Sequence, residues 1–217
     1  MLRGKKKLNY EQQLDKDGNF GPALVMVGED LDEIPTIDNN QSRRLIGINV
    51  SNNQISELSP QLKGLKKLEF LILSNNEFTT LPSSIGQLSS LLSLNLSNNK
   101  LSTLPDEFED LDELQELILD GNKFEEIPPV LFKMPRLREV HMQHNSIQVI
   151  PQEISRMAGL RILVLDYNKI SAVPDAVGQM KLEELWVQHN RVEISPDDLN
   201  IGKLKLYDNP IDPIDQP

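Results

Sequence analysis

The sequence predicts an α/β solenoid, a stack of similar coils each carrying one short strand, and three observations predict it. Asn53, Asn76, Asn99, Asn122, Asn145 and Asn168 are spaced by 23 residues, with Asn190 following after 22 and Asn209 after 19. Around them one frame recurs, LxxLxLxxN, explicit in Leu68-Leu71-Leu73-Asn76, Leu91-Leu94-Leu96-Asn99, Leu114-Leu117-Leu119-Asn122 and Leu160-Leu163-Leu165-Asn168. Softer copies are Leu45-Ile48-Val50-Asn53, Leu137-Val140-Met142-Asn145, Leu182-Leu185-Val187-Asn190 and Ile201-Leu204-Leu206-Asn209. The second half of the unit is equally regular: an apolar residue two after the asparagine, another three later, then proline, as in Leu101-Leu104-Pro105 and Ile170-Val173-Pro174.

Each part of the unit has a physical reason. The alternation at Leu71-Ile72-Leu73 is strand period, while the apolar spacing over the whole unit closes no core inside one repeat, so each coil must bury its apolar face against its neighbours. Where the chain turns off the strand, buried backbone groups lose their ladder partners. An asparagine amide, both donor and acceptor, can satisfy them and a leucine cannot. Proline fixes φ and removes a donor, which suits a segment entering a helical turn and excludes a central strand. Units of 23 residues leave room for 3₁₀ turns or short helices on the wider back rather than for full helices.

This frame resembles the leucine-rich repeat family, and Leu81-Pro82-Ser83-Ser84-Ile85-Gly86-Gln87-Leu88 is similar to its intracellular Ras-suppressor and Scribble-type class. The resemblance covers residues 21 to 217 and implies a horseshoe with a concave parallel β-sheet and a 3₁₀/short-helix convex side. It also implies a non-catalytic scaffold or adaptor that binds a protein partner on the concave surface. Small GTPases of the Ras type and protein phosphatase or adhesion-complex components are partner classes of that family. A substrate-recognition subunit for a ubiquitin ligase or kinase is the rival reading.

Taken in order, residues 1–20 form an N-terminal extension in which Leu8 to Leu14 reads as a short capping helix ended by Asp17-Gly18-Asn19. Arg3, Lys5, Lys6 and Lys7 read as a solvated terminus, with a nuclear-import or lipid-contact patch as the alternative. Residues 21–44 read as a degenerate cap repeat, with Met26, Leu31, Ile34 and Pro35 in frame and Glu29 at the asparagine place. Residues 45–217 hold eight repeats, the last two shortened. At Ile211 to Pro217 no helix closes the last coil: either the chain is cut there or its Asp and Pro residues alone blunt the sheet edge. Residues 101 to 135 carry ten acidic side chains against Lys123 and Lys133. The run Asp106 to Glu113 falls on the convex side, as a solvated face or as a docking strip for a basic partner.

Composition excludes several function classes. With 22 Lys+Arg against 33 Asp+Glu the net charge is −11, which disfavours nucleic acid and anionic lipid and favours a basic partner surface. Cysteine is absent, which removes thiol catalysis, disulfides and thiolate metal sites and fits a cytoplasmic or nuclear address. No stretch has the apolar length of a membrane span. Phosphate-loop, dinucleotide, zincin and hydrolase-elbow motifs are missing, so neither catalysis nor a cofactor is expected, and the protein alone is expected to be monomeric. A metal site on His144 and His189 is disfavoured. Those residues stand two strand spacings of ~4.8 Å apart, with Tyr167 between. Arg191-Val192-Glu193-Ile194 superficially matches an extended phosphatase-docking motif, but it lacks the aromatic last residue and Val192 is a core position.

If the two leucines of LxL point inward, the residues flanking and between them face the concave solvent side. The early repeats place mostly bland residues there, such as Ser93, Asn95 and Ser97. The middle unit places Glu116, Ile118 and Asp120. The later ones place Glu139, His141, Gln143 and His144; Ile162, Val164, Asp166 and Tyr167; Glu184, Trp186, Gln188 and His189; and Lys203 and Lys205 with Tyr207. All the histidines and the only tryptophan fall in this half. The partner is therefore expected on the C-terminal half of the concave sheet, with Ile162, Val164 and Trp186 as apolar anchors and Glu139, Asp166, Glu184, His141 and His189 setting polarity.

Overall fold

A computed structural model of the chain describes residues 10–14, 20–193, 203–206 and 208–209. Eight strands of three residues fall on the LxL positions: β3 (Gly47–Asn49), β4 (Phe70–Ile72), β5 (Ser93–Asn95), β6 (Glu116–Ile118), β7 (Glu139–His141), β8 (Ile162–Val164), β9 (Glu184–Trp186) and β10 (Lys203–Lys205). Each pairs in parallel with the next, and equivalent residues of successive repeats stand side by side: Ile48, Leu71, Leu94, Leu117, Val140, Leu163, Leu185 and Leu204 share one row. Ahead of them β1 (Tyr10–Leu14) and β2 (Phe20–Val25) extend the sheet to ten strands in sequence order. The result is the predicted solenoid with one open sheet.

The N-terminal element differs from its expected form. Residues 10–14 are a strand antiparallel to β2, not a capping helix, and β2 in turn runs parallel to β3. The reason is tertiary. One or two helical turns have little stability of their own, whereas the free edge of β2 offers a ladder of unpaired backbone groups. The remainder of the expected helix, residues 8–9 and Asp17 to Asn19, lies outside the described residues.

The convex side is built as the proline spacing requires. The 3₁₀ turns Ser83–Gln87, Asp106–Asp110, Pro129–Lys133 and Gln152–Arg156 and the short helix Asp175–Gly178 each start immediately after a proline. Pro82, Pro105, Pro151 and Pro174 hold φ between −77 and −69 with extended ψ, which turns the chain into the helical segment. Each turn sends one large side chain inward: Ile85, Phe108, Leu131, Ile154 and Val177 are buried in one continuous core with the strand leucines. The acidic run lies on this side, where Asp106, Glu107 and Glu109 are exposed around buried Phe108. Part of it is paired with the next coil, Glu109 with Lys133 at 2.7 Å and Glu113 with Arg136.

The asparagines form a ladder between coils. Each Oδ1 accepts a backbone N–H from the preceding coil: Asn76 from Ile55, Asn99 from Phe78, Asn122 from Leu101, Asn145 from Phe124, Asn168 from Ile147, Asn190 from Ile170 and Asn209 from Val192. Each Nδ2 donates to a strand-end carbonyl of the preceding coil, so that the Leu73 carbonyl, for instance, receives both Asn76 and Asn99. Asn53 does the same for the cap repeat, accepting from Glu29 and Leu31 and donating to the Met26 carbonyl. Six of the eight asparagines are buried, and Asn122 and Asn145 are half-buried.

Candidate functional site

The concave surface is two rows of side chains fixed by strand register. The first runs Glu116, Glu139, Ile162, Glu184 and the second Ile118, His141, Val164, Trp186. Odd positions of a three-residue strand point away from the core, and all of these except Val164 are partly exposed. Glu116 accepts the Ser93 hydroxyl at 2.5 Å. The Trp186 indole donates to Glu184 Oε2 at 2.8 Å, which holds the ring in place over the sheet. Glu116 and Glu139 stand side by side with like charge, an arrangement that disfavours the isolated protein and favours a cation between them.

Two of the expected contact residues are corrected by their burial. Val164, expected as an apolar anchor, is 2% exposed because it is the small member of its row, in register between His141 and Trp186. Asp166, expected to set polarity, is 4% exposed and its Oδ1 accepts the Gln188 backbone N–H at 2.8 Å. It stitches two coils together, as Asp120 does by accepting from Gln143 at 2.8 Å. Glu139, His141, Ile162, Glu184, Trp186, Gln188 and His189 are half-buried and Tyr167 exposed, on one continuous side. Lys205 continues the second row in register with Trp186, and Tyr207 lies outside the described residues.

The rim of this surface has a backbone feature that the alternation pattern does not give. In every repeat the residue before the ladder asparagine has a left-handed backbone: Asn52, Asn75 and Asn98, then Gly121, His144, Tyr167, His189 and Asp208, with φ from 51° to 62°. Gly, Asn, Asp and, less readily, His tolerate this conformation; tyrosine adopts it at a cost of roughly 1–2 kcal/mol. The three rings lie one above another, His144 on Tyr167 at 4.3 Å between centroids and Tyr167 on His189 at 4.0 Å, within 16° of parallel. Stacking of this kind returns about 0.5–1.5 kcal/mol per pair. Tyr167 therefore separates His144 from His189. His189 Nε2 lies 3.3 Å from the Asp208 carboxylate. Burial pushes the Asp120 carboxyl above its usual range, and the Gln143 N–H and the nearby His141 and His144 partly offset it. Asp120 was readable in the sequence as a concave-face residue of the middle unit, and His144 as a histidine in the column of Asn52, Asn75, Asn98 and Gly121.

Comparison with known proteins gives the same architecture. The leucine-rich repeat family profile matches residues 71–124 and 135–192, just over half of the chain. Among solved structures, a leucine-rich repeat protein of Leptospira interrogans superposes with a TM-score of 0.79 at 31% identity over 84% of this chain and 48% of that one. The Arabidopsis receptor kinase HAESA, solved with the peptide hormone IDA and a co-receptor, gives 0.68 at 28% over 86% of this chain and 33% of that one. A TDR receptor gives 0.63 at 27% over 78% and 36%. The chain thus spans half or less of the length of these structures. No curated protein matches the sequence significantly.

Proposed function

The chain belongs to the leucine-rich repeat family, and from that premise we propose that it is a non-catalytic interaction module whose C-terminal concave half holds a basic segment of a protein partner. The observation that carries this is Trp186. A solenoid face has no packing need for an indole, yet this one is partly exposed, fixed by Glu184, in register with Val164 and Lys205, and beside the row of half-buried Glu139, Ile162 and Glu184. The HAESA complex supports it by analogy, as a relative solved with a peptide and a protein bound. The net charge of −11 sets the sign of the partner surface. A Ras-type small GTPase or a protein phosphatase in signalling is the first partner class to test, and a cytoplasmic or nuclear location and a monomeric state go with this reading. Among the described residues no helix is long and apolar enough to cross a membrane.

The test is capture of the partner on purified protein, identification by mass spectrometry, and titration of variants. Trp186→Ala is expected to weaken binding by ~2 kcal/mol, about 30-fold, with an unchanged circular dichroism spectrum. Asn95→Ala, in the N-terminal half, is expected to leave affinity within about two-fold. Equal, undiminished affinity of both variants would place the partner elsewhere. Capture of ligase or kinase subunits would reassign the module to substrate recognition.

A further inference from the structure

The left-handed stack poses a question that packing does not answer. Five of the eight repeats place Asn, Gly or Asp at this rim position and build the same turn without strain. The three that do not are consecutive, and they border the acidic half of the concave sheet. Their rings are only partly covered, Tyr167 remaining 45% exposed.

The two ends of the stack are unlike. At the C-terminal end His189 meets the carboxylate of Asp208, which occupies the next rim position. At the other end the next rim position is Gly121, which has no side chain, so among the described residues the face of the His144 ring turned away from Tyr167 has no ring partner. The Asn98 amide packs against Gly121 from the coil before, and its Oδ1 takes the place a side chain on Gly121 would occupy. Beside this position is Asp120, one of whose oxygens is bonded to Gln143 while its charge is felt by both His141 and His144. An exposed ring, a carboxylate and an amide oxygen thus border one rim position, Gly121, with Glu116 in the same strand-turn unit as Asp120.

We propose that this end of the rim is an arginine-reading site, in which a guanidinium of the partner continues the stack on His144 above Gly121 and donates to Asp120 and to Asn98 Oδ1. Arginine fits where lysine does not. Its guanidinium is planar, so it lies flat on a ring, and its donors fork toward neighbouring oxygens, whereas an ammonium is a point charge with no face to stack. The half-buried Asp120 carboxylate gains a counter-ion, and the stacked rings, with Tyr167 held at a strained backbone position, gain a role as a rigid wall. This inference rests on the concave-surface reading, because the arginine would belong to the same basic segment, and it specifies the residue type read at the rim.

The experiment titrates hexa-arginine and hexa-lysine peptides, equal in charge and at matched ionic strength, into the full 217-residue chain. Histidine ring protons are followed by NMR and Trp186 by fluorescence. Hexa-arginine is expected to bind about five-fold more tightly than hexa-lysine and to shift the His144 ring resonances. Asp120→Asn keeps an acceptor for Gln143, and His144→Asn restores the residue type of Asn52, Asn75 and Asn98, so both variants keep the fold. Each is expected to bring the arginine-to-lysine ratio to within about two-fold. No binding, equal binding of the two peptides by the parent, or an unchanged ratio in both variants overturns the site. Trp186→Ala separates this failure from that of the concave reading. If it weakens both peptides while the two rim variants leave the ratio intact, the concave surface stands and the arginine site falls. If none of the three changes anything, both fall.

Discussion

Asn168→Leu is expected to lower the unfolding free energy by about 3–5 kcal/mol, measured by urea denaturation followed by circular dichroism. The buried Asn168 amide accepts the Ile147 N–H at 2.9 Å and donates to the carbonyls of Met142, Leu165 and Asp166. Leucine has nearly the same size and none of these bonds. The carbonyls keep one donor each, because Asn145 also reaches Met142, Asn190 also reaches Leu165, and the His144 N–H reaches Asp166. The Ile147 N–H keeps nothing. One orphaned buried donor at roughly 1–3 kcal/mol and several weakened acceptors give the expected loss. Asn122→Leu removes an equivalent set from a half-buried site where water can replace part of it, and is expected to cost less, about 1–3 kcal/mol. A leucine at 168 that leaves stability within about 1 kcal/mol of the parent would contradict the ladder as a source of stability.

Phe108→Ala is expected to cost about 3–5 kcal/mol. Phe108 is the largest member of the row that the convex turns send inward, the others being Ile85, Leu131, Ile154 and Val177, and it is fully buried. Alanine leaves a cavity spanning the interface of two coils, and coils held by nearest-neighbour contacts cannot collapse around it without losing register on both sides. Phe108→Leu, which restores the side chain of the next repeat, is expected to cost less than half as much. Equal costs for the two variants would mean that the coils relax freely, contrary to the close packing of this core.

The fold was legible because its determinants repeat. Eight asparagines in one frame, with leucines at strand period and prolines at fixed offset, specify strand, turn and back of each coil from the sequence alone. What was not legible depends on neighbours in space. Tyr10 to Leu14 has no strong local preference and takes its strand from the edge of β2. Val164 alternates to the solvent side, and its burial comes from the larger residues at equivalent places in β7 and β9. Asp166 has the composition of a contact residue, and only the approach of the Gln188 N–H makes it structural. The rim stack was hidden differently. The column Asn52, Asn75, Asn98, Gly121 and Asp208 spells a left-handed position, and once that is recognised His144, Tyr167 and His189 are the exceptions in it.

The central claim is that the partner covers the C-terminal half of the concave sheet, and the chain carries its own probe there, because Trp186 is the only tryptophan. Titration of the intact protein with its captured partner, in a tryptophan-free form, should shift the indole emission to the blue and protect it from acrylamide quenching in parallel with complex formation. Emission and quenching unchanged at saturation, with binding confirmed by an independent method, would contradict the account.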